Sequence, residues 1–239
     1  MKAKRTSLMV AILILVVGAT NGMSHPSVVK GTVNNLMVDN LVSIQKINDS
    51  LFSEESSKNI KNATVKDKRS KTEPSSLSAI SMARLSAKKN NIAKAIDYYE
   101  QAINTEKDKY EKANYCYELA LVVYGKSDYP KVRSIAYQAI DLNPKWGKPY
   151  ILIGKIYAAS AKAMGESDLQ QRMVYCLAVD QFIKAKAIDP ESVAEADKEI
   201  AQYSQYFPGK EDAVFENIKA GSSFKIGGWI NESTIVRLR

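Results

Sequence analysis

Few residues in this chain have the chemistry of a catalyst. The one histidine, His25, lies beside an N-terminal apolar run and outside every patterned segment. A hydroxyl or thiol nucleophile in the patterned part therefore lacks a histidine base, and no Ser–His or Cys–His pair can be assembled there. Cys116 and Cys176 stand 60 positions apart in different helical segments. Their separate places in the pattern predict two buried thiols, and no Cys/His cluster has metal-ligand spacing. Gly125-Lys126-Ser127 has the residue types that end a phosphate-binding loop. Ala120 stands where the loop's first glycine is required, however, and the segment reads as a helix–helix turn. Gly227-Gly228 falls in a hairpin pattern and fails the dinucleotide motif. Asp97 and Glu100 have the chemistry of an acid–base pair, but their spacing puts them on the wet face of a helix. These residues predict no enzyme, no cofactor and no metal centre, which leaves binding.

The elements that would position a binding surface begin with the bulk numbers. The chain has 239 residues, 45% hydrophobic and 25% charged, the composition of an ordinary folded protein. Lys2, Lys4 and Arg5 precede an apolar run over residues 8–19. That run is shorter than the roughly 20 residues of a membrane span. With Val17-Gly18-Ala19 at its end, it predicts a signal peptide over residues 1–19, cleaved after Ala19. The alternative is an uncleaved helix that anchors the chain in the inner membrane. No cysteine stands at the cleavage point to carry a lipid. An exported protein is expected, in the periplasm or at the inner face of a bacterial outer membrane. Losing the three basic residues lowers the net charge from +8 to +5. The remainder is spread along the chain, so no nucleic-acid partner is expected.

The organising signal is a repeat. In YQAIDLNPKWGKPYILIGKIYAAS, Pro144 ends one helix by removing a donor and disfavouring helical backbone before it. Tyr150, Ile153, Gly154 and Tyr157 then recur at helical spacing, with Gly154 small enough to let a neighbouring helix come close. "AIDP" near Pro190 answers "AIDLNP" near Pro144, and KAIDYYEQAINTEKDK repeats the pattern upstream. Three helix pairs follow, over about residues 77–105, 112–143 and 148–189.

These residues resemble the tetratricopeptide repeat, a helix–turn–helix unit of about 34 residues. The third pair carries the pattern best, with Tyr150, Ile153, Gly154 and Tyr157 in its first helix. Ala178, Phe182, Ala185 and Pro190 fill the second. Leu119, Ala120, Ala136, Ala139 and Pro144 match in the second pair. Met82, Ala83, Ala95, Tyr99 and Ala102 match in the first, which lacks the closing proline. The third pair holds about a dozen extra residues, AKAMGESDLQQRM, which lengthen either the loop or both helices. The resemblance implies an all-α superhelical solenoid over residues 77–207, of three helix pairs plus a capping helix. In that cap Val193, Ala196, Ile200, Tyr203 and Phe207 share a face, with Ser192 at its start.

Residues 208–239 predict a short helix, then a β-hairpin held down by Phe224 and Trp229. This tail is similar to a module of exported tetratricopeptide proteins of Gram-negative bacteria. Upstream, residues 20–76 read as a flexible segment with a short amphipathic helix over residues 34–52.

The resemblance implies a groove lined by the first helix of each pair, binding a peptide or protein. Its positions fall on Ile80, Arg84 and Lys88, then Asn114, Tyr117, Leu121 and Tyr124, then Lys148, Ile151 and Lys155. The cations at both ends favour an acidic partner. The expected function is a non-catalytic adaptor of the bacterial cell envelope. The alternative is a structural component assembled through the β tail or the N-terminal helix.

Overall fold

The computed structural model describes residues 75–164 and 167–239. The expected signal peptide, the amphipathic helix over residues 34–52 and the flexible segment up to residue 74 lie outside the described residues. Six helices form three antiparallel pairs: α1 (Ser76–Lys88) with α2 (Ile92–Thr105), α3 (Lys109–Tyr124) with α4 (Tyr129–Leu142), and α5 (Lys148–Met164) with α6 (Asp168–Ile188). Each pair packs on the next, and α7 (Val193–Ser204) covers α6 at the far end. A single-turn 3₁₀ helix, Pro190–Ser192, joins α6 to α7, and the short α8 (Lys210–Phe215) follows. Strands β1 (Ser223–Lys225) and β2 (Ser233–Ile235) then pair antiparallel, with Phe224 opposite Thr234. The fold is the all-α stack of helix pairs with a small β tail that the sequence implies.

Short polar residues start most helices, because each helix begins with unpaired N–H groups. Asp108 accepts from the N–H groups of Tyr110 and Glu111, both at 2.9 Å, so α3 begins at Lys109, ahead of residue 112. Ser75, Asn91, Asp128 and Ser167 cap α1, α2, α4 and α6 in the same way. The first pair turns without a proline. Glu106 instead accepts from the N–H groups of Lys107 and Asp108 at 2.8 and 3.0 Å, closing the turn locally.

Ser192 behaves differently from expectation. It makes no cap hydrogen bond to α7, and its hydroxyl donates to Asp189 at 2.7 Å. The same aspartate accepts from the Gly147 and Glu191 N–H groups at 2.8 and 3.0 Å. Asp189 thus joins the turn after α6 to the start of α5. Val193, expected inside the cap, is exposed, whereas Ala196, Tyr203 and Phe207 are buried.

The core follows the repeat. Tyr99, Tyr157 and Phe182 are fully buried, and a Cβ on Gly154 would overlap the Phe182 ring. Only glycine permits that approach of α5 to α6. The extra residues of the third pair extend both helices: α5 runs 17 residues and α6 runs 21. Cys116 and Cys176 are free and buried, and burial pushes both thiols up to about 11.

The tail is fastened by polar contacts as well as by Trp229. Arg133 on α4 donates to the carbonyls of Ile230 at 2.6 Å and Trp229 at 2.8 Å, and its guanidinium lies 5.0 Å from the Trp229 ring. Glu232 accepts from Tyr157 at 2.6 Å and Tyr137 at 3.2 Å. Arg237 pairs with Asp180 on α6 at 2.6 Å, and Thr234 donates to the same carboxylate. The hairpin therefore touches both the second and the third pair. Among the described residues no helix is long and apolar enough to cross a membrane.

Candidate binding groove

Three contacts line up the first helices on one face. Arg84 of α1 holds Glu118 of α3 through two bonds, at 2.7 and 2.9 Å. Tyr117 of α3 packs on Trp146, just ahead of α5, with ring centroids 4.9 Å apart. Lys155 of α5 reaches Glu195 at 2.7 Å and Glu199 at 3.4 Å, both on α7. The helices α1, α3, α5 and α7 therefore share the face that carries the expected groove.

The structure brings some of the ten expected residues to that face and takes others away. Ile80, Tyr124 and Ile151 are at most 7% exposed, so they belong to the core and are not presented to a ligand. The cause is helical geometry: each stands three or four positions from a buried alanine or glycine of its own helix (Ala83, Ala120 and Gly154) and turns inward with it. Asn114, Tyr117 and Leu121 stay half-buried along α3, and Lys88 and Lys148 are exposed. Lys88 ends α1, where a cation is favoured by the helix dipole.

Arg84 and Lys155 reach the face but arrive already neutralised. The hydrogen bond to Glu118 is the main reason the Arg84 guanidinium is held above its usual range. Burial pulls the Lys155 ammonium down, but Glu199 and Glu195 outweigh it and raise its pKa. Tyr99 donates to Glu118 at 3.0 Å, and its phenol is pushed far up, by burial first and the Glu118 charge second. Burial, aided by the charge of Glu195, likewise raises Tyr117. The expected cations divide: at each end one, Arg84 or Lys155, is paired with an internal carboxylate, and the other, Lys88 or Lys148, is exposed.

Several residues of the face escape a reading from the repeat pattern. Tyr110 is 53% exposed and lies four residues before Asn114 and seven before Tyr117, which places it on their stripe. Lys109 lies over its ring, 4.9 Å from the centroid. The spacing was visible in the sequence, but starting the helix at residue 112 hid it. Trp146 sits between pairs, where the repeat pattern has no position for it. Glu118, Glu195 and Glu199 carry no periodic signal beyond a wet helix face.

What these elements define is a tetratricopeptide-like all-α stack of helix pairs whose first helices share one face. Among the described residues no group of three or more His, Cys, Asp or Glu side chains is placed to hold a metal ion. No protein-family profile matches the chain, and no solved structure matches it. It is 32% identical over 74 residues to photosystem I assembly protein Ycf3 of Cyanophora paradoxa, covering 31% of this chain and 43% of that protein. It is 28% identical over 108 residues to the protein of the same name from Acaryochloris marina (strain MBIC 11017), covering 44% and 64%. The chain spans less than two thirds of the length of these curated relatives.

Proposed function

We propose that this protein is a non-catalytic adaptor that captures a protein or peptide partner on the face of α1, α3 and α5. One observation carries the reading: Tyr110, Asn114, Tyr117 and Leu121 form a continuous, partly exposed stripe beside Trp146, between two ion-paired ends. Tyrosine and tryptophan side chains are among those that most often carry the binding energy of a protein interface. Acidic side chains of the partner meet Lys109 and Lys148, since Arg84 and Lys155 are already bonded. Two relatives named as assembly proteins support the same class of job, the handling of a subunit on its way into a larger complex. The basic-then-apolar N-terminal run supports export into a bacterial envelope.

A photo-crosslinking residue at Asn114, expressed in the native cell, tests this. One dominant attached protein, lost when the exposed Tyr110 becomes alanine, is the expected result. Capture from a probe at Ile235 on the hairpin, with none from Asn114, would move the function to the β tail.

A further inference from the structure

Two of the large apolar side chains on α8 have no structural reason to be apolar. Phe215 is 88% exposed and Val214 is 83% exposed, and of α8 only Ala213 is buried. Beside them, between α8 and the first turns of α6, lies an open pocket of about 360 Å³. Leu169 and Phe215 form its apolar part, and Arg172 is the single cation among its lining residues.

Four carboxylates surround it: Asp168, Glu211, Asp212 and Glu216. Asp212 is partly committed, accepting from the Gly209 N–H at 2.8 Å and lying 4.0 Å from Arg172. Asp168, Glu211 and Glu216 make no ion pair with any described residue. Asp168 and Glu211 sit in first turns, where the helix dipole favours an acid. Glu216 does not: it is the C-terminal cap of α8, the end where an acid is disfavoured. An acid at the wrong helix end, beside two exposed apolar side chains, is stabilised by neither the helix nor the core. It becomes favourable when a cation from outside is brought against it.

We propose that the α6–α8 corner is a second docking surface, which takes a basic amphipathic segment of a partner protein. An apolar side chain of that segment enters between Leu169 and Phe215, and its lysines or arginines meet Glu211, Glu216 and Asp168. The chain as a whole carries a net charge of +8, so this local excess of acid runs against the background and selects a basic ligand. The surface lies on different elements from the α1–α3–α5 face and prefers the opposite charge. An adaptor built this way joins two dissimilar partners.

The test uses the full chain and a short fluorescein-labelled peptide, with leucines on one helical face and lysines on the other, followed by fluorescence anisotropy. Phe215→Ser and Glu216→Lys should each weaken binding by about tenfold, the size of one lost anchor or charge contact. Both sites are exposed, so unchanged thermal melts confirm that folding is intact. A peptide of the same composition without the apolar face should bind about tenfold more weakly. Equal binding of the two peptides, or affinity indifferent to both substitutions, overturns the proposal. So does a concentration-dependent dimer abolished by Phe215→Ser, which would assign the patch to self-association. None of these results depends on the α1–α3–α5 face, which the Asn114 crosslink tests alone.

Discussion

Replacing Glu118 with alanine should detach the first helix pair from the stack. Glu118 is the single acceptor for three donors: Arg84 twice, at 2.7 and 2.9 Å, and Tyr99 once, at 3.0 Å. Its side chain is 12% exposed and that of Arg84 is 26% exposed, while Tyr99 is fully buried. Stranding the buried phenol costs about 1–3 kcal/mol. The half-exposed ion pair adds about 0.5–1 kcal/mol, because solvent screens it. A loss of about 1.5–4 kcal/mol is therefore expected. In a stack where each unit touches only its neighbours, the loss should be local. Hydrogen exchange read by mass spectrometry should show faster exchange over residues 76–105 and little change over residues 148–204. Replacing Arg84 and Glu118 together with methionine should recover part of the loss, since no charge is then left unpaired. An alanine variant within about 0.5 kcal/mol of the parent, the scatter of ordinary surface substitutions, would refute the reasoning.

Gly154→Val should lower stability by about 1–3 kcal/mol or more, since its side chain enters the space of the Phe182 ring; chemical denaturation reads the change. Arg133→Ala should free the hairpin by removing the charge-assisted hydrogen bonds to the Trp229 and Ile230 carbonyls, worth about 1.5–3 kcal/mol each in net terms. A red shift of Trp229 emission and faster proteolysis of the tail would report it. Burial opposes ionisation of Asp189, but the Gly147, Ser192 and Glu191 donors outweigh it and depress its pKa. A carboxyl with a lowered folded pKa stabilises above its unfolded value, so this contribution fades as the pH falls below about 4. Asp189→Asn should flatten that acid limb in thermal melts at decreasing pH, and an unchanged slope would count against the assignment. Cys116 and Cys176 should label with a thiol reagent only as fast as the chain opens, because both are buried with thiols raised to about 11.

The stack was readable because its signals are local and periodic. Pro144, Pro190 and the alanines facing each pair mark where helices end and touch, and Gly154 announces the closest approach. The groove was readable only by position. Ile80 and Ile151 occupy groove-like places in the repeat, yet each stands three positions before a buried small residue, Ala83 or Gly154, and so turns inward with it. Charge pairing was less visible still. Arg84 and Glu118 are 34 residues apart, and Arg133 meets Ile230 across 97. Nothing in the sequence around Arg133 distinguishes it from any other cation on a wet helix face. Ser192 shows the same limit at short range: as a helix cap its hydroxyl oxygen would accept from a backbone N–H, but the group is turned to donate to Asp189 instead.

The hairpin also has a mechanical meaning. By gripping α4 through Arg133 and α6 through Asp180, it works as a splint across the joint between the second and third pairs. Among the described residues the joint between the first and second pairs has no such brace: the packing of α2 on α3 and the bonds of Glu118 to Arg84 and Tyr99 hold it. Bending of the described helix pairs is therefore expected first at that hinge. The stripe on α3 sits beside that hinge, so a ligand seated on Tyr110 and Asn114 feels a compliant wall on the α1 side and a rigid one on the α5 side.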